Sequence, residues 1–247
     1  MIKFAIIALA ASQVLGQGGK DQIPICSVKD KELSKCLLAA FRRVHPYLVK
    51  GIPKLGVFPI DPLHIDLLDL SNAPGKTLNV RHKFMDVDIE GLASADIMRA
   101  RYDIKKQEVD IDATMKKPFI LRGKYQSIGK VLSLPIRGSG RFNITLHNLK
   151  SVLKMKGHEV MKNGKKYAHV DVVTFPFQVD KMELYFEDLF KGNKQISDTL
   201  NNILNENWMP ILDDMKESFE EAIGSAFQQI SNRALSKVPL NELLKDV

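Results

Sequence analysis

The sequence predicts an α+β protein: a strongly curved antiparallel β-sheet wrapped along one long C-terminal α-helix. Three observations carry that expectation. Residues from about 64 to 190 alternate apolar and polar side chains with the period of two that marks half-buried strands, and turn signals separate the runs. From residue 196 to 234 the period changes to three and four without losing phase, which is the stripe of a single amphipathic helix. Such a helix would be about 60 Å long, whereas a compact globule of this chain length is only about 45 Å across. The sheet must therefore follow the helix along an elongated body, unless the helix bends.

The first sixteen residues stand apart. Lys3, the apolar run 4–11 and the small or short side chains toward Gly16 have the form of a secretory signal peptide. That run is too short for a spanning helix, and no later stretch reaches the roughly 20 apolar residues that one requires. Residues 17–247 are expected to form one domain, exported and extracellular, with no stable membrane insertion. In an oxidising compartment the chain's two cysteines, Cys26 and Cys36, are expected as a disulfide in preference to a metal site or a catalytic thiol. Closing so short a loop contributes about 2–3 kcal/mol in the chain-entropy model.

Between residues 29 and 49, Leu33, Leu37, Ala40, Phe41, Val44 and Leu48 follow helical spacing, with Cys36 on the flank of the stripe. Gly51 and Pro53 end this helix. Pro59 and Pro62 then stiffen an extended segment that leads into a strand at 64–70, leaving Leu55, Val57, Phe58 and Ile60 to cover one end of the sheet. The strands that follow place these side chains on one face: Leu78 and Val80; Met98, Ala100, Tyr102 and Ile104; Val109, Ile111, Ala113 and Met115; Phe142, Ile144 and Leu146. Turns are expected at Gly91, at 105–108, at Gly138-Ser139-Gly140, where 137–142 also reads as a strand bend, and at Asn163-Gly164, the last being the strongest short hairpin signal. The long helix closes the order, with a kink expected near Pro210.

The chemistry of the chain narrows its function by exclusion. The formal net charge is +7, and removing residues 1–16 deletes Lys3 and no acid, leaving +6. The basic residues are dispersed among acids, so no nucleic-acid footprint is formed. The densest basic spot surrounds Asn163-Gly164 and reads as a solvated turn. There is no G-x-S-x-G elbow, no Walker loop and no H-E-x-x-H pair, so neither an enzyme, a metal nor a cofactor is expected. Asn143-Ile144-Thr145 is the single N-x-S/T sequon; with Ile144 inward, Asn143 points outward and could carry a glycan. A tube of inward Phe, Ile, Val and Met closed on a helix either packs solid or leaves an apolar channel, and periodicity alone favours solid packing.

Four blocks add a family reading. Residues 51–65 (GIPKLGVFPIDPLHI), 84–104 (FMDVDIEGLASADIMRARYDI), 204–208 (LNENW) and 236–244 (SKVPLNELL) resemble the recurring blocks of the juvenile-hormone-binding protein family, particularly its takeout branch, and the early cysteine pair fits it as well. The resemblance covers essentially the whole chain after residue 16. It implies a secreted carrier of small lipophilic ligands with an internal apolar tunnel, the half-barrel architecture of lipid-binding TULIP-like proteins. Members that carry hormone in haemolymph usually have a second cysteine pair, absent here, so the resemblance points to a lipophile without singling out juvenile hormone. The expected tunnel lining is Phe41, Val44, Val80, Met98, Tyr102, Ile111, Phe119, Tyr125, Phe142, Ile144, Leu146, Leu200, Trp208, Met215 and Phe219. A small lipophilic ligand is the expected partner, beside an unidentified protein receptor, in hormone, chemosensory, feeding or circadian signalling. The alternatives are a module that binds a lipid interface through the long helix and, behind it, an enzyme acting on a lipid or ester.

Overall fold

The computed structural model describes residues 23–69, 78–131 and 134–246; the expected signal peptide, residues 1–16, lies outside them. A short strand, β1 (Cys26–Ser27), precedes helix α1 (Leu33–Lys50). Ten strands follow: β2 (Leu63–Asp69), β3 (Leu78–Glu90), β4 (Ala95–Asp103), β5 (Glu108–Met115), β6 (Phe119–Val131), β7 (Leu134–His147), β8 (Lys150–Lys162), β9 (Lys165–Thr174), β10 (Phe177–Gln178) and β11 (Lys181–Phe186). Helices α2 (Lys194–Glu206) and α3 (Trp208–Leu235) and a last strand, β12 (Leu244–Lys245), complete the chain.

Strands β2 to β11 form one curved antiparallel wall built as two sheets, in the orders β11-β7-β6-β3-β2 and β10-β8-β5-β4, with β9 paired to β8. The chain passes between the sheets at 91–94, 116–118, 148–149 and 179–180. Backbone bonds tie the crossings together: the Met115 N–H donates to the Leu149 carbonyl at 2.8 Å and the Asp180 N–H to the His147 carbonyl at 3.0 Å. The wall is not closed into a barrel. Helices α2 and α3 lie along its open side, so the curved sheet over a long C-terminal helix is the architecture observed.

The long helix is divided at Asn207, not kinked at Pro210. Proline has no N–H to give the Glu206 carbonyl, and its ring clashes there, so the ladder stops one turn before it. Asn207 satisfies the loose end by donating its backbone N–H to the carbonyls of Ile203 and Leu204, both at 3.2 Å, and its side-chain amide to Ile203 at 2.8 Å. Pro210 then sits in the first turn of α3, where its missing donor is not needed.

Two other local expectations are revised. Gly138-Ser139-Gly140 is no turn: it runs inside β7, paired with β6. A Cβ on Gly138 would lie 2.6 Å from both the Tyr125 hydroxyl and the Asp188 carbonyl, so the glycine permits the close crossing of the 187–189 segment. In β4, the pairing with β5 shifts register between Ile97 and Arg99. The bulge turns Ile97 and Ala100 inward and leaves Met98 56% exposed, correcting its expected place in the lining. Ile104 falls in the turn beyond β4. Asn163 and Gly164 form the expected two-residue hairpin turn, both at positive φ, between Lys162 and Lys165.

The rim of the wall is stitched to the helices by side chains. On β11, Asn201 accepts from the Phe186 N–H at 2.9 Å and donates to the Phe186 carbonyl at 2.8 Å. One turn on, Asn205 does the same at Leu184, at 2.9 and 2.7 Å. Helical spacing of four thus matches strand spacing of two. Glu220 accepts from Phe177 of β10 at 3.2 Å, and Asn232 brackets Val170 of β9 at 2.7 and 2.9 Å.

Behind this rim are two apolar cores. One lies between α1, the β4-β5-β8-β9 side, the C-terminal half of α3 and the tail around Leu240. The other fills the space between the β2-β3-β6-β7-β11 sheet, α2 and the N-terminal half of α3. Cys26 is bonded to Cys36, which ties β1, paired in parallel with β12, to α1. Reducing this bond is expected to cost about 2–3 kcal/mol; an unchanged urea midpoint with and without dithiothreitol would contradict it.

Candidate functional site

Among the described residues, an apolar space inside the wall lies at the end that α1 covers. A cavity of about 100 Å³ lies between α1, the inner face of β4, β5 and β8, and α3. Helix α1 contributes Phe41, Val44 and Leu48; the sheet contributes Ile97, Ile111, Ala113, Leu153 and Met155; α3 closes it with Phe227 and Ile230. Two polar side chains face this wall, His45 and Ser151. The His45 ring is engaged, its Nε2 lying 2.9 Å from the Leu92 carbonyl. The remainder can offer a guest only dispersion and release of water.

The other core is packed. Phe84 and Phe142 meet edge to face at 4.7 Å between centroids, and Tyr125 and Phe186 at 4.9 Å. Tyr125 also donates its hydroxyl to the Glu187 carbonyl. Burial, then the nearby Asp188 and Glu187 carboxylates, push that phenol well above its ordinary range. At the far end of β3, His82 stacks on Phe84, and its Nδ1 lies 2.5 Å from the Ser127 hydroxyl. Burial lowers the His82 pKa to about 4, so the ring is neutral near pH 7.

The residues expected to line a tunnel are thus divided. Phe41, Val44 and Ile111 line the cavity, and Tyr102 is packed, partly buried, against the same core. Phe119, Tyr125, Phe142, Ile144, Leu146, Leu200, Met215 and Phe219 are buried in the packed core. Trp208 is partly buried at its margin, beside Phe177 and Lys216 in a surface depression. Met98 faces solvent, and the side chain of Val80 is outside the described set. Asn143 is half-buried on the outward face of β7, as the alternation requires. Leu153 and Met155 were missed; the alternation of Ser151, Leu153, Met155 and Gly157 could have revealed them.

A second space opens outside the cavity. It is a groove of about 850 Å³ between β2 and α3, and Ile230 stands on the walls of both. No helix among the described residues is long and apolar enough to cross a membrane, and no cluster of His, Cys, Asp and Glu among them could hold a metal ion.

These features define an α+β half-barrel protein whose curved antiparallel wall, backed by a long helix, leaves an apolar pocket beside α1. The haemolymph juvenile hormone binding protein family model matches residues 4–245, and the chain belongs to that family, in its takeout branch. The crystal structure of Takeout 1 from Epiphyas postvittana superposes with a TM-score of 0.78 at 27% identity, covering 90% of this chain and 99% of that one. The circadian clock-controlled protein daywake of Drosophila yakuba is 21% identical over 235 residues, 93% of this chain and 89% of that protein. A putative beta-carotene-binding protein of Schistocerca gregaria is 26% identical over 133 residues, 53% of this chain and 52% of that protein.

Proposed function

We propose that the protein is a secreted, non-enzymatic carrier that holds a small lipophilic ligand in an internal apolar tunnel, of which the cavity behind α1 is the closed part. The observation that carries this reading is the composition of that cavity: some fifteen apolar side chains from a helix, a sheet and a second helix converge on unfilled space. A protein without a guest gains nothing from such a space, because unfilled apolar volume costs stability. The family, and the carotene-binding name of one relative, support a lipophilic cargo. The clock-controlled name of another supports a role that varies with the day. Export rests on residues 1–16.

The test is to fill the cavity. Ala113→Phe is expected to weaken binding of the neutral fluorophore N-phenyl-1-naphthylamine by about tenfold or more, a loss of about 1.4 kcal/mol, while thermal unfolding stays cooperative. Ile144→Trp, in the packed core, should instead cost about 1–3 kcal/mol of stability and spare binding. The carrier reading fails if wild type binds neither this probe nor any lipophile extracted from the native protein. It fails equally if Ala113→Phe leaves affinity unchanged.

A further inference from the structure

The groove between β2 and α3 has an apolar length and a cationic end. Phe58, Ile65 and Leu67 form one wall, and Phe58 is 71% and Leu67 54% exposed, an unusual amount of apolar surface left in water. The opposite wall is one face of α3, where Ala222, Ser225 and Ala226 are small enough to leave room. From Ala222 to Arg233 the helix rises about 16 Å, a length that takes an extended alkyl chain.

The charge lies at the Phe58 end. The Arg233 guanidinium sits 5.2 Å from the Phe58 ring centroid. Lys237, one turn further along the chain, places its ammonium 3.5 Å from the Lys54 carbonyl. Both side chains are exposed, and among the described residues neither has a carboxylate partner. The carboxylate on the groove wall, Asp66, lies 3.3 Å from His64, which is also 2.7 Å from Asp88.

We infer that the groove seats an anionic amphiphile, a long-chain carboxylate with its head at Arg233 and Lys237 and its tail along Ala226 toward Ala222. Ile230 then separates the tail from the inner cavity and is the side chain that must move for a guest to pass between them. A wholly neutral lipid would cover the apolar walls and leave both cations unanswered. This assignment rests on the carrier reading and adds the chemistry of the head group to it.

The test compares 11-(dansylamino)undecanoic acid with its methyl ester, titrated into the full chain lacking residues 1–16 and followed by dansyl emission. The acid is expected to bind about fivefold more tightly, the scale of two partly exposed charge pairs. The double variant Arg233→Gln, Lys237→Gln should lose that preference and bind the ester as wild type does. Ala226→Trp, with its fold checked by thermal unfolding, should weaken both probes. Equal affinity for acid and ester overturns the head-group assignment, as does a preference that survives the double variant. An Ala226→Trp chain that binds both as before overturns the groove as the seat. A wild type that binds neither dansyl probe but still binds N-phenyl-1-naphthylamine overturns the groove as the seat and leaves the carrier reading standing; one that binds none of the three, nor any lipophile extracted from the native protein, overturns the carrier reading itself.

Discussion

Asn201→Asp is expected to remove about 4 kcal/mol of stability although it exchanges a single amide nitrogen for oxygen. Asn201 is 8% exposed, and its amide group donates to the carbonyls of Phe186 and Ser197 while its oxygen accepts from the Phe186 N–H. The carboxylate keeps the acceptor and aims a second oxygen at two carbonyls, in a buried site. Leu in place of Asn would leave the same backbone groups of β11 unpaired but add no charge, so it should cost less. The sign of the pH effect follows from the same geometry. A protonated Asp can donate again, so its folded pKa is raised above the unfolded one. Stability is then present at low pH and is lost as pH rises through the folded pKa. Urea unfolding of both chains at pH 7 and pH 5 measures this. A variant within about 1 kcal/mol of wild type at pH 7, or a gap that widens on acidification, would show that the Asn201 seam does not hold the rim.

Acid should act on the wild-type protein through His82. Its pKa is lowered to about 4 by burial, against 6.5 for the free side chain. Between those values the unfolded chain binds the proton and the folded chain does not, so stability is complete above about pH 6.5 and declines down to about pH 4. The accumulated loss is about 3 kcal/mol. His82→Gln keeps a hydrogen-bonding partner for Ser127 and does not titrate. The difference in unfolding free energy between the two chains should therefore narrow or reverse as pH falls from 7 to 4, with the contributions of other acids and histidines cancelling. Exposed His64 works in the opposite sense, its pKa raised chiefly by the Asp88 hydrogen bond, and is common to both chains. Parallel pH profiles would remove His82 from the account.

The class of fold was legible because each of its two periods is sustained: alternation in β5 and β7 and the three-four stripe from Ile196 to Ala234 needed no tertiary knowledge. The exceptions have local causes. A bulge at residues 97–99 lets Ile97 and Ala100 both face inward and turns Met98 between them outward, while Ala100 and Tyr102 keep the expected facing; nothing in the pattern Ile-Met-Arg-Ala announces it. Glycines read as turn residues at 138–140 because the strand crossing that requires them comes from residues 187–189, distant in sequence. The division at Asn207 was nearly legible, since Pro210 was seen but its effect belongs to the carbonyl four residues earlier. The site was read less well. Inward-facing was equated with lining, yet inward residues meet a cavity at one end of the wall and other side chains at the other. Where α1 sits against the sheet decides between the two, and that is a docking geometry no periodicity encodes.

The amide seams along the rim also bear on how copies of the chain meet one another. An open strand edge invites pairing by a second chain and, through it, edge-to-edge growth into aggregates. On β11 and β9 the outward groups of Leu184, Phe186 and Val170 are already taken by asparagines, and a side-chain amide offers an incoming strand no ladder to extend. Strand β4 is covered by α1. Strand β2 remains, and there His64, Asp66 and Asp69 put titratable groups along the edge, a poor template for a like-charged copy. The wall can thus remain an open half-barrel in concentrated solution without polymerising through its edges.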